Sequence, residues 1–278
     1  MRTLFLVTVD CDLRTDHMGA RQAALQALLD VFADEGLAGQ VTWFLNENDF
    51  CLTEHQEAFL HEAVTRGDGI GIHDHLEALN LAASEGAPHY RASSVLAYCR
   101  ASREGVARWL ERNGYAGEIR AHRNGCLTQA MGIYEALGEL GYTVLSDVWP
   151  RHRSTDRRGH PAQDNTALPL GIGAYRHDAH NFSDFASTSG RFLQVPVAAV
   201  FLGSFEPGML ERWLGAAEQQ GAEPAVFTWC LHPYEVLNDN LDAVSPGMVE
   251  VLRDHLRRIR AGYEVEFARL TQLEEIVG

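Results

Sequence analysis

The sequence predicts an α/β fold: an irregular (β/α) barrel of about seven parallel strands, built as a single domain over residues 1–278. Three observations predict it. Short apolar runs rich in β-branched residues alternate with stretches of helical periodicity, most helical stretches stop on a glycine, and ionisable residues gather where the apolar runs end.

The elements follow in order. "LFLVTV" reads as a first strand, "RQAALQALLDVFADEG" as a helix with a glycine stop, and "QVTWFL" as a second strand. "HQEAFLHEAVTRG" leads into "IGIH", "SVLAYCRASREGVARWLERNG" into "EIRAH", "AMGIYEALGELG" into "TVLSD", and "MLERWLGAAEQQG" into "AVFTWCLH". Helix, glycine and strand repeated this often indicate parallel strands joined by crossover helices. Residues 149–191 break the rhythm with much Arg, His, Gly and Pro, which predicts long loops over one rim. "FLQVPVAAVF" and a closing helix "LTQLEEIVG" then resume it.

The composition narrows the function. The chain has 278 residues, 46% of them hydrophobic, enough for one α/β barrel core. A net charge of −15 repels phosphate backbones and anionic lipid, so neither nucleic acid nor a membrane surface is an expected partner. The first apolar run, Leu4 to Val9, is shorter than a signal-peptide core or a membrane span, and a cytoplasmic location is expected. Cys11, Cys51, Cys99, Cys126 and Cys230 include no CxxC pair and read as reduced thiols, mostly buried. A small-molecule substrate is the expected partner, and assembly as a homo-oligomer is compatible with the composition.

In such folds the active groups stand at the carboxyl ends of the strands. Asp10 and Asp12, two apart in "VTVDCD", leave one face of an extended strand side by side, and two such carboxylates ionise together cheaply only beside a cation. As solvated loop acids they would need none, and Asp16 could cap the next helix. His73 and His75 in "IGIHDH" share the two-residue spacing. With Asp12 they supply the three-ligand, open-position set of a catalytic zinc site. A chain turning helical after His73 would instead place Glu77 on that face, so both His75 and Glu77 stand as candidates for the third ligand. His232, fixed before Pro233 in "CLHP", suits a general acid. Arg120 is expected to pair with Asp10, and Asp147 to hold either that arginine or His232; an ordinary structural ion-pair network is the competing reading. The closely spaced glycines of "GDGIGIH" follow a helix rather than a strand, which rejects a dinucleotide fingerprint.

At these residues the chain resembles the polysaccharide deacetylase family of carbohydrate esterases, whose members fold as an irregular (β/α) barrel and remove acyl groups with a metal-bound water. "TVDCD" looks like the first motif, which implies Asp10 as general base and Asp12 as metal ligand; "RGDGIGIHDH" resembles the second, with His73 as first histidine ligand. "IRAHRNG" is similar to the third, implying Arg120 as the partner of the base. "LSDVWP" resembles the fourth, around Asp147, and "CLHP" the fifth, with His232 as acid. The commonest second motif carries a further histidine where this chain has Glu77, and His-x-His relatives match His73 and His75. His122 and Arg123 stand where many members have small residues, which assigns them to substrate recognition. The resemblance implies a metal-dependent deacylase, most fittingly zinc-dependent, acting on an acylated amino sugar or a related soluble amide. A non-sugar amide or imide hydrolase and a catalytically silent carbohydrate-binding barrel are the rival readings.

Overall fold

The computed structural model describes residues 1–278 except 13–16, 46–53, 82–87, 116 and 278, so Asp16 and Cys51 lie outside the described residues. Among the described residues twelve strands follow one another: β1 Thr3–Asp10, β2 Val41–Leu45, β3 Gly69–Asp74, β4 Ala121–Asn124, β5 Val144–Leu145, β6 Arg153–Thr155, β7 Pro161–Asp164, β8 Tyr175–His177, β9 Phe192–Gln194, β10 Ala199–Val200, β11 Ala225–Leu231 and β12 Glu266–Phe267. The α-helices are α1 Met18–Asp34, α2 Glu54–Thr65, α3 Ala92–Arg112, α4 Met131–Glu139, α5 Pro207–Gln219, α6 Pro246–Gly262 and α7 Leu273–Val277. The main sheet runs β10-β11-β1-β2-β3-β4-β5-β9-β8, parallel throughout except for the antiparallel edge strand β8. It is a curled half-barrel of a single α/β domain, with one parallel strand more along this order than the expected seven and, off it, the two-residue β12 parallel to β1.

The extra strand comes from one predicted run. "FLQVPVAAVF" divides at Pro196 into β9, which pairs with β5, and β10, which pairs with β11 at the far end of the strand order. Proline cannot donate to a ladder. The link between the two strands nonetheless bonds both sides: Val197 N donates to Val148 O, and Ala198 N donates to Thr228 O. A few residues therefore bridge the ends of the curl where no ladder closes it.

Strand alternation sorts the side chains into two layers. Phe5, Val7 and Val9 of β1 face the helices in the larger core, with Trp43, Ile72 and Trp229 from neighbouring strands. Leu4 and Leu6 face the inside of the curl, where Phe44, Ala121, Val144, Leu193 and Val226 meet Leu270 and Leu273 of the closing C-terminal segment. The inside is apolar at the amino ends of the strands. One or two positions further along the same inward rows stand Thr8, Asp10, His73, Arg123, Ser146 and Cys230, all buried. The helix stops expected from sequence are present at Gly36 and Gly67, both at positive φ, where a side chain would be strained.

The rim segment is more ordered in pattern than its composition suggests. Within it, β6 and β7 form an antiparallel hairpin, and β8 pads the sheet edge. Among the described residues no helix is long and apolar enough to cross a membrane.

Candidate metal centre

The inward row of each strand delivers one part of a polar centre. β1 ends on Asp10, with Asp12 two residues beyond; β3 carries His73 inward, and the chain stays extended through Asp74 so that His75 follows on the same side. The next turn is a 3₁₀ turn, Glu77–Leu79, which starts too late to put Glu77 in place of His75. His75 Nε2 lies 2.9 Å from Asp12 Oδ2 and 3.2 Å from His73 Nε2, and His73 Nε2 lies 3.6 Å from Asp12 Oδ1. Glu77 instead accepts from His75 Nδ1 at 2.8 Å.

These contacts fix what the three groups can hold. His73 Nδ1 lies 3.1 Å from the carbonyl oxygen of Arg123, an acceptor, so that nitrogen carries the proton; the Glu77 carboxylate does the same for His75 Nδ1. Both Nε2 atoms then present lone pairs, 3.2 Å apart, to each other and to the Asp12 carboxylate. Three electron-rich atoms converging in a buried place repel one another unless a cation sits among them. Without a metal, burial would lower the His75 pKa, but its hydrogen bonds to Asp12, Cys126 and Glu77 outweigh it and push it up to about 12. In that metal-free state, with both histidines protonated, burial would raise Asp12, but the His73 charge and the hydrogen bonds from both rings hold it well below the usual carboxylate range. The donor set of one carboxylate and two imidazoles, each oriented by an outer partner, fits a zinc-type divalent cation.

Gly125 forms the floor beside it. A Cβ there would stand 2.2 Å from His75 Nδ1, so only glycine leaves room for the ring. The "RNG" of the sequence contained this signal, but nothing local said which ring it spares.

Arg120 does not reach Asp10. β4 begins at Ala121, and Arg120 shares the outward parity of His122; its side chain is 54% exposed and pairs with Glu118. Arg123, three residues on and therefore on the opposite face, is fully buried and takes the expected place: its Nη1 donates to Asp10 Oδ1 at 2.8 Å and to Thr8 Oγ1 at 2.8 Å. Nε and Nη2 donate to Ser146 O and Oγ, and the guanidinium covers the Phe44 ring at 4.5 Å. Arg123 therefore meets no substrate. Burial would raise the Asp10 carboxyl, but the Arg123 charge, followed by His73 and His232, holds it below the usual range. Its second oxygen, Oδ2, lies 3.3 Å from the Cys230 thiol and 3.8 Å from His73 Nδ1.

His122 also lies away from the cavity, fully buried on the helix side with Nε2 3.1 Å from Asp74 Oδ2. Asp147, with the same outward parity, accepts from the Asn124 backbone N–H at 2.6 Å and holds neither Arg120 nor His232. Burial pushes its pKa up to about 6. The acid that orients His232 is Glu235, in the turn that follows it: Oε1 lies 3.2 Å from His232 Nδ1, while Oε2 accepts from the backbone N–H groups of His232 and Leu202. Its three-residue spacing from His232 was visible in "HPYE", and the expected choice of Asp147 passed over it.

Above these groups opens a cavity of about 220 Å³. The His232 ring stacks on Phe201 at 5.2 Å on one wall, and Trp149 stacks on His152 at 3.5 Å on another. Cys126, Leu127 and Phe201, all lining it, have positive φ without being glycine. Such backbone is uphill by about 1–3 kcal/mol per residue and collects at functional sites. Nothing in a sequence marks it.

Fold and site together define a class: a parallel α/β half-barrel with a carboxylate–imidazole centre at the carboxyl ends of its strands. No family model matches the chain, and no curated protein matches it. Among solved structures it is similar to a protein proposed to be a polysaccharide deacetylase involved in O-antigen biosynthesis, from Bordetella bronchiseptica. That likeness has 16% identity over 91% of this chain and 90% of the other, with a TM-score of 0.47. It is also similar to the 4-alpha-glucanotransferase of Thermococcus litoralis, at 11% identity and a TM-score of 0.56, over 100% of this chain and 39% of that one. The second likeness is one of fold.

Proposed function

We propose that this cavity is the active centre of a divalent-metal-dependent hydrolase that removes an acyl group, by N-deacetylation, from an acylated amino sugar or a related small amide. The observation that carries the reading is the convergence of Asp12, His73 Nε2 and His75 Nε2 on one point, with Asp10 and His232 beside it. Asp12, His73 and His75 would hold the cation, which when bound supplies a Lewis acid and lowers the pKa of a water.

The remaining work falls to the side chains. Asp10, ionised by Arg123, is placed to take a proton from the attacking water through Oδ2. His232, whose Nδ1 is held by Glu235, is left with Nε2 as the atom able to give a proton to the departing amine. Trp149 offers a flat apolar surface of the kind that a sugar ring covers. The expected outcome is about one equivalent of zinc in the purified protein, and loss of both zinc and turnover in Asp12→Ala. Full hydrolysis of an N-acetylated amino sugar by a thoroughly chelated sample would reject the proposal.

A further inference from the structure

We propose that Arg157 is the specificity residue of this centre and binds a carboxylate on the substrate, so that the substrate is an acylated amino sugar acid rather than a neutral sugar; this rests on the hydrolase reading above. Arg157 stands at the tip of the β6–β7 hairpin and is the one lysine or arginine among the described residues lining the cavity. The hairpin presents it firmly. Asp156 Oδ1 accepts from the backbone N–H groups of Arg158 and His160, and Ser154 Oγ donates to the Cys126 carbonyl across the cavity floor.

Arg157 Nη2 lies 2.8 Å from Asp12 Oδ2 and 2.8 Å from His75 Nε2. Those are two of the atoms that the cation would take, and a guanidinium cannot share them with a metal ion because the two positive charges repel. Occupation of the centre therefore turns Arg157 away from Asp12. Among the described residues the nearby carboxylates are already engaged: Glu77 Oε1, 3.8 Å from Arg157 Nε, accepts from His75 Nδ1, Asp10 is held by Arg123, and Asp156 is buried, closing its own turn. The side chain is 46% exposed and remains at the mouth with Nε beside Glu77 and its two Nη groups released from Asp12 as a fork of donors. Such a fork matches a carboxylate in two parallel hydrogen bonds. Ser154, Thr155 and Gln163 of the same hairpin add neutral polar groups to that wall, so the preference has to come from Arg157.

The test uses the full chain loaded with zinc and carrying Asp10→Asn to stop turnover, with and without Arg157→Ala. The probes are N-acetylglucosamine and its 6-carboxylate, N-acetylglucosaminuronic acid, titrated by calorimetry. With Arg157 present the uronate should bind at least tenfold more tightly than the neutral sugar; Arg157→Ala should abolish that difference and leave the neutral sugar within threefold. Zinc affinity, read by chelator competition, should stay the same or tighten in Arg157→Ala, since a competing cation has gone. Equal binding of the two probes, a preference that survives Arg157→Ala, no binding of the uronate, or weakened zinc would each overturn the inference while leaving the hydrolase reading standing. A wild-type protein that takes up no zinc would overturn that reading and this inference with it.

Discussion

Replacing Arg123 by methionine isolates what holds the centre together. The substitution keeps a side chain of similar length on the inward row of β4, but removes the donors to Asp10, Thr8, Ser146 O and Ser146 Oγ, each at 2.8–2.9 Å. Asp10 is 3% exposed, so its charge would be left buried without its main partner. Breaking a buried ion pair from one side costs about 3–5 kcal/mol, and the orphaned acceptors add about 1 kcal/mol each where water cannot replace the donor. A loss of about 4 kcal/mol or more is therefore expected, against a total stability on the order of 5–15 kcal/mol. Urea unfolding followed by tryptophan fluorescence should show it as a midpoint lowered by about 1 M or more, for a slope near 3 kcal/mol/M.

The pH dependence has a definite sign. In the native protein Asp10 lies below its ordinary value, so it stabilises above pH 3.8 and that contribution fades as the carboxyl is protonated at lower pH. Without Arg123, burial, which raises the pKa, loses its chief opponent. The deficit of Arg123→Met should therefore grow as pH rises above 3.8. Adding Asp10→Asn removes the stranded charge and should recover part of the loss, whereas Arg120→Met, at an exposed position, should leave the transition where it was. A cost below about 1 kcal/mol, or a double variant weaker than Arg123→Met alone, would refute the assignment of Arg123 as the buried counter-charge.

Two further outcomes follow from single side chains. Asp147, fully buried, holds its proton up to about pH 6 against an ordinary value of 3.8, so its own contribution to native stability should fall between pH 4 and 6 at about 1.36 kcal/mol per pH unit, some 3 kcal/mol in all. Asp147→Asn should remove that fall, and a wild-type-minus-variant difference that stays constant from pH 4 to 7 in chemical unfolding would count against it. Gly125→Ala should push the His75 ring off Asp12 and Glu77, because the new methyl would lie 2.2 Å from Nδ1. Zinc affinity should fall about 10- to 100-fold, as for other lost supports of a ligand, with the circular dichroism spectrum unchanged; unaltered affinity in chelator competition would refute the cradle.

Sequence by itself determined the α/β layering and the inward delivery of Asp10, Asp12, His73 and His75, because alternation along a strand is a local rule that the spacing of two residues expresses directly. It also placed His232 at a strand end, since an apolar run closed by His-Pro can hardly be read otherwise. Tertiary structure decided the partners. Arg120 and Arg123 look interchangeable in "IRAHRNG", yet the start of β4 at Ala121 sends one into solvent and the other under Asp10, a difference of strand parity that depends on pairing with β3 and β5. The same parity turned His122 and Asp147 towards the helices and left Glu235 to hold His232. Arg157 and the strained residues Cys126, Leu127 and Phe201 came together only through the hairpin and the bridge between β9 and β10. Contacts between residues 80 to 150 positions apart are set by how the sheet curls, and no short stretch of chain carries that information.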